Sequence, residues 1–273
     1  AVCKRDGWIN HKGFVERYPL KNRDTYIVNL SDTHSGGSTA LFPDYRMDFD
    51  HNGKFATNHD PTREQKAMFQ HWLKCAEIVK AESKGKRIII VHNGDALEGF
   101  HHGSIQTISP IASHQIQIQL EVFEAFLKKS GFSPKNGDEL HYTSGTESHT
   151  NWDEFGIAEH LNAQFHDELQ MSVNGKNLWW THHGANSGKG ANEGDSYRTW
   201  LKSIYWDCLR EYRTKPDAVI SAHYHKSIYQ TYVQDWHTIH GILLPSWQMK
   251  TRYAYRAAPF RRNDIGMSCL TVS

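Results

Sequence analysis

The 273-residue chain sets 31 Lys and Arg against 30 Asp and Glu, a formal net charge of +1. That balance excludes the one-signed field of a general polyanion or membrane-surface binder. Apolar residues make up 38% and mean hydropathy is −0.68, enough for one α/β core. No apolar run approaches the roughly 20 residues of a membrane span. Two residue types stand out. Histidine occurs 19 times in scattered short clusters, and it is the commonest nitrogen ligand for transition metals. The four cysteines, Cys3, Cys75, Cys208 and Cys269, form no Cys-x-x-Cys pair. This argues against a cysteine zinc site and fits a reducing, cytoplasmic setting without a membrane partner.

Taken in chain order, Thr25 to Leu30 reads as a buried strand ending at Asp32. The polar stretch from Ser35 to Asp60 has no periodicity, and a loop that long is usually functional or mobile. Pro61 then opens a helix with Asp60 as the candidate N-cap. Met68, Trp72, Cys75, Ala76 and Val79 supply its apolar face. Arg87 to Val91 is a fully buried strand by length and β-branching. It runs into Asn93-Gly94-Asp95. A second helix covers about Ile111 to Lys129, and strand Glu139 to Thr143 leads to Gly145. Leu169–Val173 and Asn177–Thr181 flank Asn174-Gly175, a two-residue hairpin signal. A Gly-rich loop from Gly184 to Gly194 precedes a helix at about Asp195 to Tyr212. Strand Asp217 to Ile220 then runs into Ser221-Ala222-His223, and the tail from Ile228 alternates like antiparallel strands. This order predicts a single α/β layered domain over residues 1–273, with its chemistry between 25 and 226 and C-terminal strands from 227 to 273.

Each cluster of polar donors falls where a strand is about to end, the place where sites gather in α/β folds. Asp32 and His34 are two apart, as are His223 and His225. In extended backbone such pairs point to one side. Asp95 follows the Ile-rich strand, His182-His183 closes the second arm of the hairpin, and Glu147 and His149 follow Gly145. Mixed oxygen and nitrogen donors in this number are too many for one ion. Two ions sharing a carboxylate is the economical reading, with manganese, iron or zinc suiting the donor set.

Asp32-Thr33-His34, Gly94-Asp95, Gly145…His149, His183-Gly184 and Ala222-His223-Tyr224-His225 together resemble the ordered blocks of the calcineurin-like metallophosphoesterases, Asp-x-His, Gly-Asp, Gly-Asn-His-Glu/Asp, His and Gly-His-x-His. The resemblance runs from Asp32 to His225. It implies a four-layer α/β/β/α sandwich of two mixed sheets and a centre of two divalent ions, manganese first, with zinc, iron, nickel or magnesium as alternatives. It further implies that Asp32, His34 and His225 bind one ion, Asp95 bridges, and His183 and His223 bind the other. The implied reaction is in-line attack on a phosphoester by a hydroxide held between the ions, with His149 protonating the leaving oxygen. The third block departs from the pattern: Gly145-Thr146-Glu147-Ser148-His149 lacks the Asn, and the expectation is that Glu147 replaces it as oxygen ligand. This departure looks like a divergent branch of the kind found in bacteriophage and metagenomic phosphoesterases. Of His182 and His183, the second is taken because it directly precedes Gly184.

For substrate contacts the candidates are His101, His102 and Arg198, with Asn186 and Lys189 nearby in sequence. The C-terminal stretch Lys250, Arg252, Arg256, Arg261 and Arg262, interleaved with Tyr253, Tyr255 and Phe260, is the one local basic segment that a nucleic acid would use. The leading expectation is a phosphodiesterase acting on a nucleic acid or nucleotide. A phosphomonoesterase is the first alternative. A non-catalytic metal-binding scaffold, motivated by the altered third block, is the alternative of another class.

Overall fold

All six residues of the strand Thr25–Leu30 are buried, so it must be covered on both faces, and that requirement sets the layers of the molecule. The computed structural model describes residues 8–9, 14–16, 23–49, 58–100, 106–150, 153–184, 186–188, 192–257 and 262–273. Along the chain run β1 (Trp8–Ile9), β2 (Phe14–Glu16), β3 (Thr25–Leu30), β4 (Met47–Asp48), β5 (Asn58–His59), α1 (Arg63–Glu82), β6 (Arg87–Asn93) and α2 (Ala112–Ser130). Then follow β7 (Glu139–Thr143), α3 (Glu147–Thr150), α4 (Asp153–His160), β8 (Gln164–His166), β9 (Leu169–Val173), β10 (Lys176–Trp180) and α5 (Asp195–Arg210). The chain ends with β11 (Ala218–Ser221), β12 (Ile228–Gln234), β13 (His237–Leu243), α6 (Arg252–Ala257) and β14 (Ser268–Val272).

Two mixed sheets form the centre. One has the order β14-β3-β6-β7-β8, and the other β1-β2-β9-β10-β11-β13-β12. In the first, β3, β6, β7 and β8 are parallel and β14 is antiparallel to β3. Side chains alternate along β3. Tyr26, Val28 and Leu30 join Ile88 and Ile90 against the helical layer, with Met68, Trp72, Val79, Phe123 and Phe126. Ile27 joins Ile89 and Val91 between the sheets, facing Met171, Leu178, Trp180 and Ile220. On the far side of the second sheet, Tyr197, Leu201 and Tyr205 of α5 pack on Val219, Tyr232 and Ile239. The result is the four-layer α/β/β/α sandwich expected from the sequence, and the two sheets are both mixed.

Local chemistry explains most element ends. Helix α1 starts later than Pro61. Thr62 is the N-cap, accepting from the Gln65 N–H, while the Gln65 side chain accepts from the Thr62 N–H. This reciprocal capping box outcompetes Asp60. Helix α2 ends at Gly131, at φ 77°, as a left-handed C-cap requires. The hairpin between β9 and β10 turns through Asn174 and Gly175, both at positive φ, the two-residue turn expected. Of the Trp pair on β10, Trp180 is buried between the sheets and Trp179 lies under the Arg213 guanidinium.

The tail pairs antiparallel, as expected: β12 and β13 form a hairpin at the edge of the seven-stranded sheet, and β14 pairs with β3 in the other sheet. One expectation changes. The stretch from Ser35 to Asp60 is structured where it is described. It bridges Leu97, Thr107 and Gln248, and Phe42, Met47 and Phe49 pack on Ile118 in a small core of their own. Cys75 and Cys208 are buried apolar groups, as read from the sequence. No described helix is long and apolar enough to cross a membrane.

Trp72 holds the helical layer together. It is fully buried, packs on Phe126 and Trp247 at ring distances of 4.6 and 4.7 Å, and donates its indole N–H to the Val122 carbonyl. Trp72→Ala is expected to lower unfolding stability by about 3–5 kcal/mol, read from urea unfolding in chelator. A loss below about 1 kcal/mol would place the core elsewhere.

Candidate metal centre

Every strand that carries a donor ends at the same seam between the sheets. Asp32 and His34 follow β3, Asp95 follows β6, Thr146 follows β7, His182 and His183 follow β10, and His223 and His225 follow β11. These loops are laced together by their backbones. The N–H groups of Asp32, His34 and Ser35 donate to the carbonyls of Gly94, Asp95 and Ala96. Ala222 N–H donates to His182, and Trp247 N–H to Asp32.

The side chains converge for a reason the sequence reading did not anticipate. Asp32, His34, Asp95, His223 and His225 all sit at positive φ, between 44° and 73°. The i, i+2 pairs are therefore not in extended backbone; consecutive left-handed turns past the strand ends aim them inward. Left-handed backbone at a non-glycine residue costs free energy and is held only where surroundings over-determine it.

Three donor groups result, each with ligand atoms within 4.8 Å of one another: Asp32, His34 and His225; Asp32, Asp95 and His182; and His182, His183 and His223. The two carboxylates are almost fully buried, at 0% and 1% exposure, and are oriented alike. Asp32 Oδ2 accepts from the Ser31 hydroxyl and the His223 N–H, leaving Oδ1 with no hydrogen-bond partner. Asp95 Oδ1 accepts from the Thr146 N–H at 2.6 Å. Its Oδ2 then faces His182 Nε2 at 3.1 Å, His34 Nε2 at 3.9 Å and His223 Nδ1 at 3.9 Å. On the other side His225 Nε2 is 3.2 Å from Asp32 Oδ1 and 3.2 Å from His34 Nε2. Ligands about 2.1 Å from an ion lie roughly 3.0–3.4 Å from one another. The 3.1 and 3.2 Å spacings match the edges of coordination polyhedra, and the two 3.9 Å spacings from Asp95 Oδ2 are longer than such an edge. Asp32 Oδ1 and His182 Nε2 are buried and make no well-aligned hydrogen bond, each meeting only a charged neighbour, His225 Nε2 and Asp95 Oδ2, and a cation would satisfy them. The donor set fits divalent cations.

Electrostatics agree with burial of uncompensated charge. Burial alone would raise the Asp32 and Asp95 carboxyls, but the surrounding imidazoles, His225 and His34 for Asp32 and His182 for Asp95, hold both below the usual range. Burial would lower His182, yet Asp95 pushes it up to about 9. His34 likewise rises against the effect of its burial, through Asp32 and Glu98. His183, exposed beside His182 and His223, is lowered, mainly by desolvation.

The histidine pair of β10 divides unequally. His182 is buried, bonds the Asn93 carbonyl through Nδ1 at 2.7 Å and points Nε2 at Asp95. That is the arrangement of a metal-ligating imidazole with its tautomer fixed by a second-shell acceptor. His183, the residue taken from the sequence, lies farther out, with Nε2 3.3 Å from Thr146 Oγ1. Both belong to the same donor group. Glu147 requires a correction. It is exposed on the first turn of α3 and belongs to none of the donor groups; Thr146, one residue earlier, is the side chain that reaches the centre. His149 lies beside the centre, its ring 5.0 Å from that of His34, with Nδ1 2.8 Å from the Glu98 carbonyl oxygen. Arg198 is exposed on the first turn of α5 and belongs to none of the donor groups. His101, His102 and Lys189 lie outside the described residues, and Asn186 accepts from the Gly188 N–H.

Two carboxylates were missed from sequence. Glu98 is buried, 3.3 Å from His34 Nδ1, and accepts from the Gln248 amide; it orients His34. Glu154, on α4, accepts the Ala96 N–H at 2.8 Å through one oxygen and the Gly145 N–H at 2.7 Å through the other. It thereby staples the loop carrying Asp95 to the loop carrying Thr146. The position of Glu98 three residues after Asp95 was the available signal for the first. Nothing local marks the second.

No protein-family model and no curated protein sequence matches the chain. Among solved structures, it is similar to a conserved uncharacterized protein, a predicted phosphoesterase, of Streptococcus pneumoniae, with 11% identity, 92% of this chain and 84% of that one covered, and TM-score 0.36. It is also similar to zinc-complexed Vps29 of Entamoeba histolytica, with 10% identity, coverage of 90% and 98%, and TM-score 0.36. A third is the phosphopantetheinyl hydrolase of Mycobacterium tuberculosis, with 9% identity, coverage of 89% and 96%, and TM-score 0.33. Likenesses this weak carry no argument about the activity or ligands of this chain.

Burial pushes the Glu154 carboxyl from 4.5 up to about 7, overriding the two amide hydrogen bonds, which favour the charged form. A carboxyl raised by folding stabilises the folded state while it is protonated, so its contribution is fullest below about pH 4.5 and is lost as pH rises through about 7. The unfolding free energy of the wild type, relative to Glu154→Gln, is expected to fall by on the order of 3 kcal/mol across that window. Urea unfolding without divalent ions reads this, and parallel pH profiles for the two proteins would contradict it.

Proposed function

We propose that this chain is a metal-dependent phosphoric ester hydrolase with two divalent cations, manganese first, acting preferentially on phosphodiesters. The observation that carries the reading is the single buried oxygen, Asp95 Oδ2, lying 3.1–3.9 Å from imidazoles of both donor groups. A carboxylate shared by two cation sites a few ångströms apart suits in-line displacement at phosphorus. When bound, the two ions would lower the pKa of water to near 7 and neutralise phosphoryl charge.

The protein's own groups then have definite tasks. Asp32 and Asp95 each turn one oxygen toward the imidazoles because the other is held by the Ser31 hydroxyl or the Thr146 N–H. Glu98 fixes the orientation of His34. His149, as the proton donor to the leaving oxygen, is held with Nδ1 on the Glu98 carbonyl oxygen, which assigns the proton on that nitrogen and leaves Nε2 as the exchanging atom. Such a donor contributes about 10²–10⁴-fold. The preference for a diester is supported by the segment that follows the Trp247–Asp32 and Gln248–Glu98 contacts. Exposed Arg252, Arg256 and Arg262, and Lys250 stacked over Tyr255, lie a few residues beyond those contacts. They supply charge and aromatic surface for the second substituent of a nucleotide or nucleic-acid diester.

His149→Ala should retain its metal while losing about 10²–10⁴ in kcat. Wild type with manganese should turn over bis-(p-nitrophenyl) phosphate faster than p-nitrophenyl phosphate, with both activities abolished by chelator. Faster monoester turnover would replace the diesterase by a phosphomonoesterase. No turnover with any divalent ion would leave the non-catalytic scaffold.

A further inference from the structure

Thr146 brings a side chain that is neither acidic nor imidazole into the midst of the donor atoms. Its Oγ1 lies 3.3 Å from Asp95 Oδ2, 3.3 Å from His183 Nε2 and 3.4 Å from His223 Nδ1. A hydroxyl donates one proton and accepts through two lone pairs, so Thr146 Oγ1 can donate to Asp95 Oδ2 while accepting from imidazole N–H groups. The same three near-equal spacings are also the edges of a polyhedron around a common ion at about 2.1 Å. We infer that Thr146 Oγ1 is an oxygen ligand of the cation held by Asp95, His182, His183 and His223, in the place where the sequence pattern pointed to Glu147. The inference rests on the two-cation reading above and deepens it.

The backbone holds that hydroxyl in place from both sides. Thr146 N–H donates to Asp95 Oδ1, so the residue that orients the carboxylate also brings its own oxygen beside Oδ2. Gly145 packs directly against Asp95, where any Cβ would overlap the Asp95 backbone nitrogen and carboxylate. Only glycine permits this approach. Glu154 ties the Gly145 and Ala96 amides to one carboxylate, fixing the two loops relative to each other. Thr146 is β-branched, which restricts χ1 and holds Oγ1 in one direction. The neutral hydroxyl has a further consequence. Glu147 as ligand would have added a negative charge to a site already holding Asp95; Thr146 adds none, and so leaves more net positive charge to face a phosphoryl group.

The test is manganese titration by calorimetry of chelator-stripped protein: wild type, Thr146→Val, Thr146→Ala and Thr146→Ser. Val keeps the branched shape and removes the oxygen, while Ala covers the case in which Val does not fold. Ser restores the hydroxyl. Wild type should bind two ions. The Val and Ala variants should keep one site at wild-type affinity, that of Asp32, His34 and His225, and weaken the other by at least the 10–100-fold range typical of outer-sphere losses. Ser should recover most of that loss. Two wild-type-like sites in Thr146→Val or Thr146→Ala would overturn the ligand assignment and leave the hydrolase proposal standing. A wild-type protein that binds no ion would overturn both.

Discussion

Two buried carboxylates whose ion-pair partners among the described residues are all imidazoles are the constraint around which this molecule is arranged. Asp32 and Asp95 are 0% and 1% exposed. Their neighbours are imidazoles: His225 and His34 on one side, His182 and His223 on the other. Burying charge without a partner is costly enough that such groups are paired, neutralised or placed on a metal. Here each carboxylate gives one oxygen to protein donors and keeps the other for the centre. Proton sharing with the surrounding imidazoles pairs the carboxylates in the absence of cations, and divalent cations would also satisfy Asp32 Oδ1 and His182 Nε2, which make no well-aligned hydrogen bond.

The fold supplies the rigidity that this demands. Strands β3 and β6 are buried on both faces, so their C-terminal ends have little freedom to move. Five donor residues are held at positive φ just beyond strand ends, a strain that only a well-packed frame sustains. Polar bonds between layers tighten the seam. Asn93 accepts from the Thr143 hydroxyl, donates to the Thr181 carbonyl and offers its own carbonyl to His182. Asn29 accepts the Trp180 indole N–H from the opposite sheet. Ser31 holds Asp32, Glu98 holds His34 and is itself held by Gln248, and Glu154 ties the Ala96 and Gly145 amides together.

What the sequence disclosed follows from which interactions are local. β-branched runs such as Ile88–Val91 and the 3–4 spacing of Met68, Trp72, Cys75 and Val79 announce their elements because burial and period act over neighbouring residues. The layers, the hairpin at Asn174-Gly175 and the gathering of Asp32, His34, Asp95, His223 and His225 at strand ends were legible for this reason. The left-handed conformations of those five residues were not, because backbone handedness past a strand end is set by contacts with other loops. The exposed position of Glu147, beside Thr146 at the centre, was not legible for a related reason. A charged residue is the stronger ligand in isolation, but Gly145 packs so closely on Asp95 that the very next residue takes the central position and Glu147 begins a helix facing outward. His182 was obscured by its neighbour, since two adjacent histidines after a strand differ only in which face the chain presents. Glu154 was beyond reach altogether, for its partners are backbone amides 9 and 58 positions away.

The central claim is a pair of cations that share Asp95, and anomalous diffraction from manganese-soaked crystals tests it most directly. The account predicts two peaks, one among Asp32, His34 and His225, the other among His182, His183 and His223, with the Asp95 carboxylate reaching both. A single peak, or peaks remote from Asp95, would contradict it.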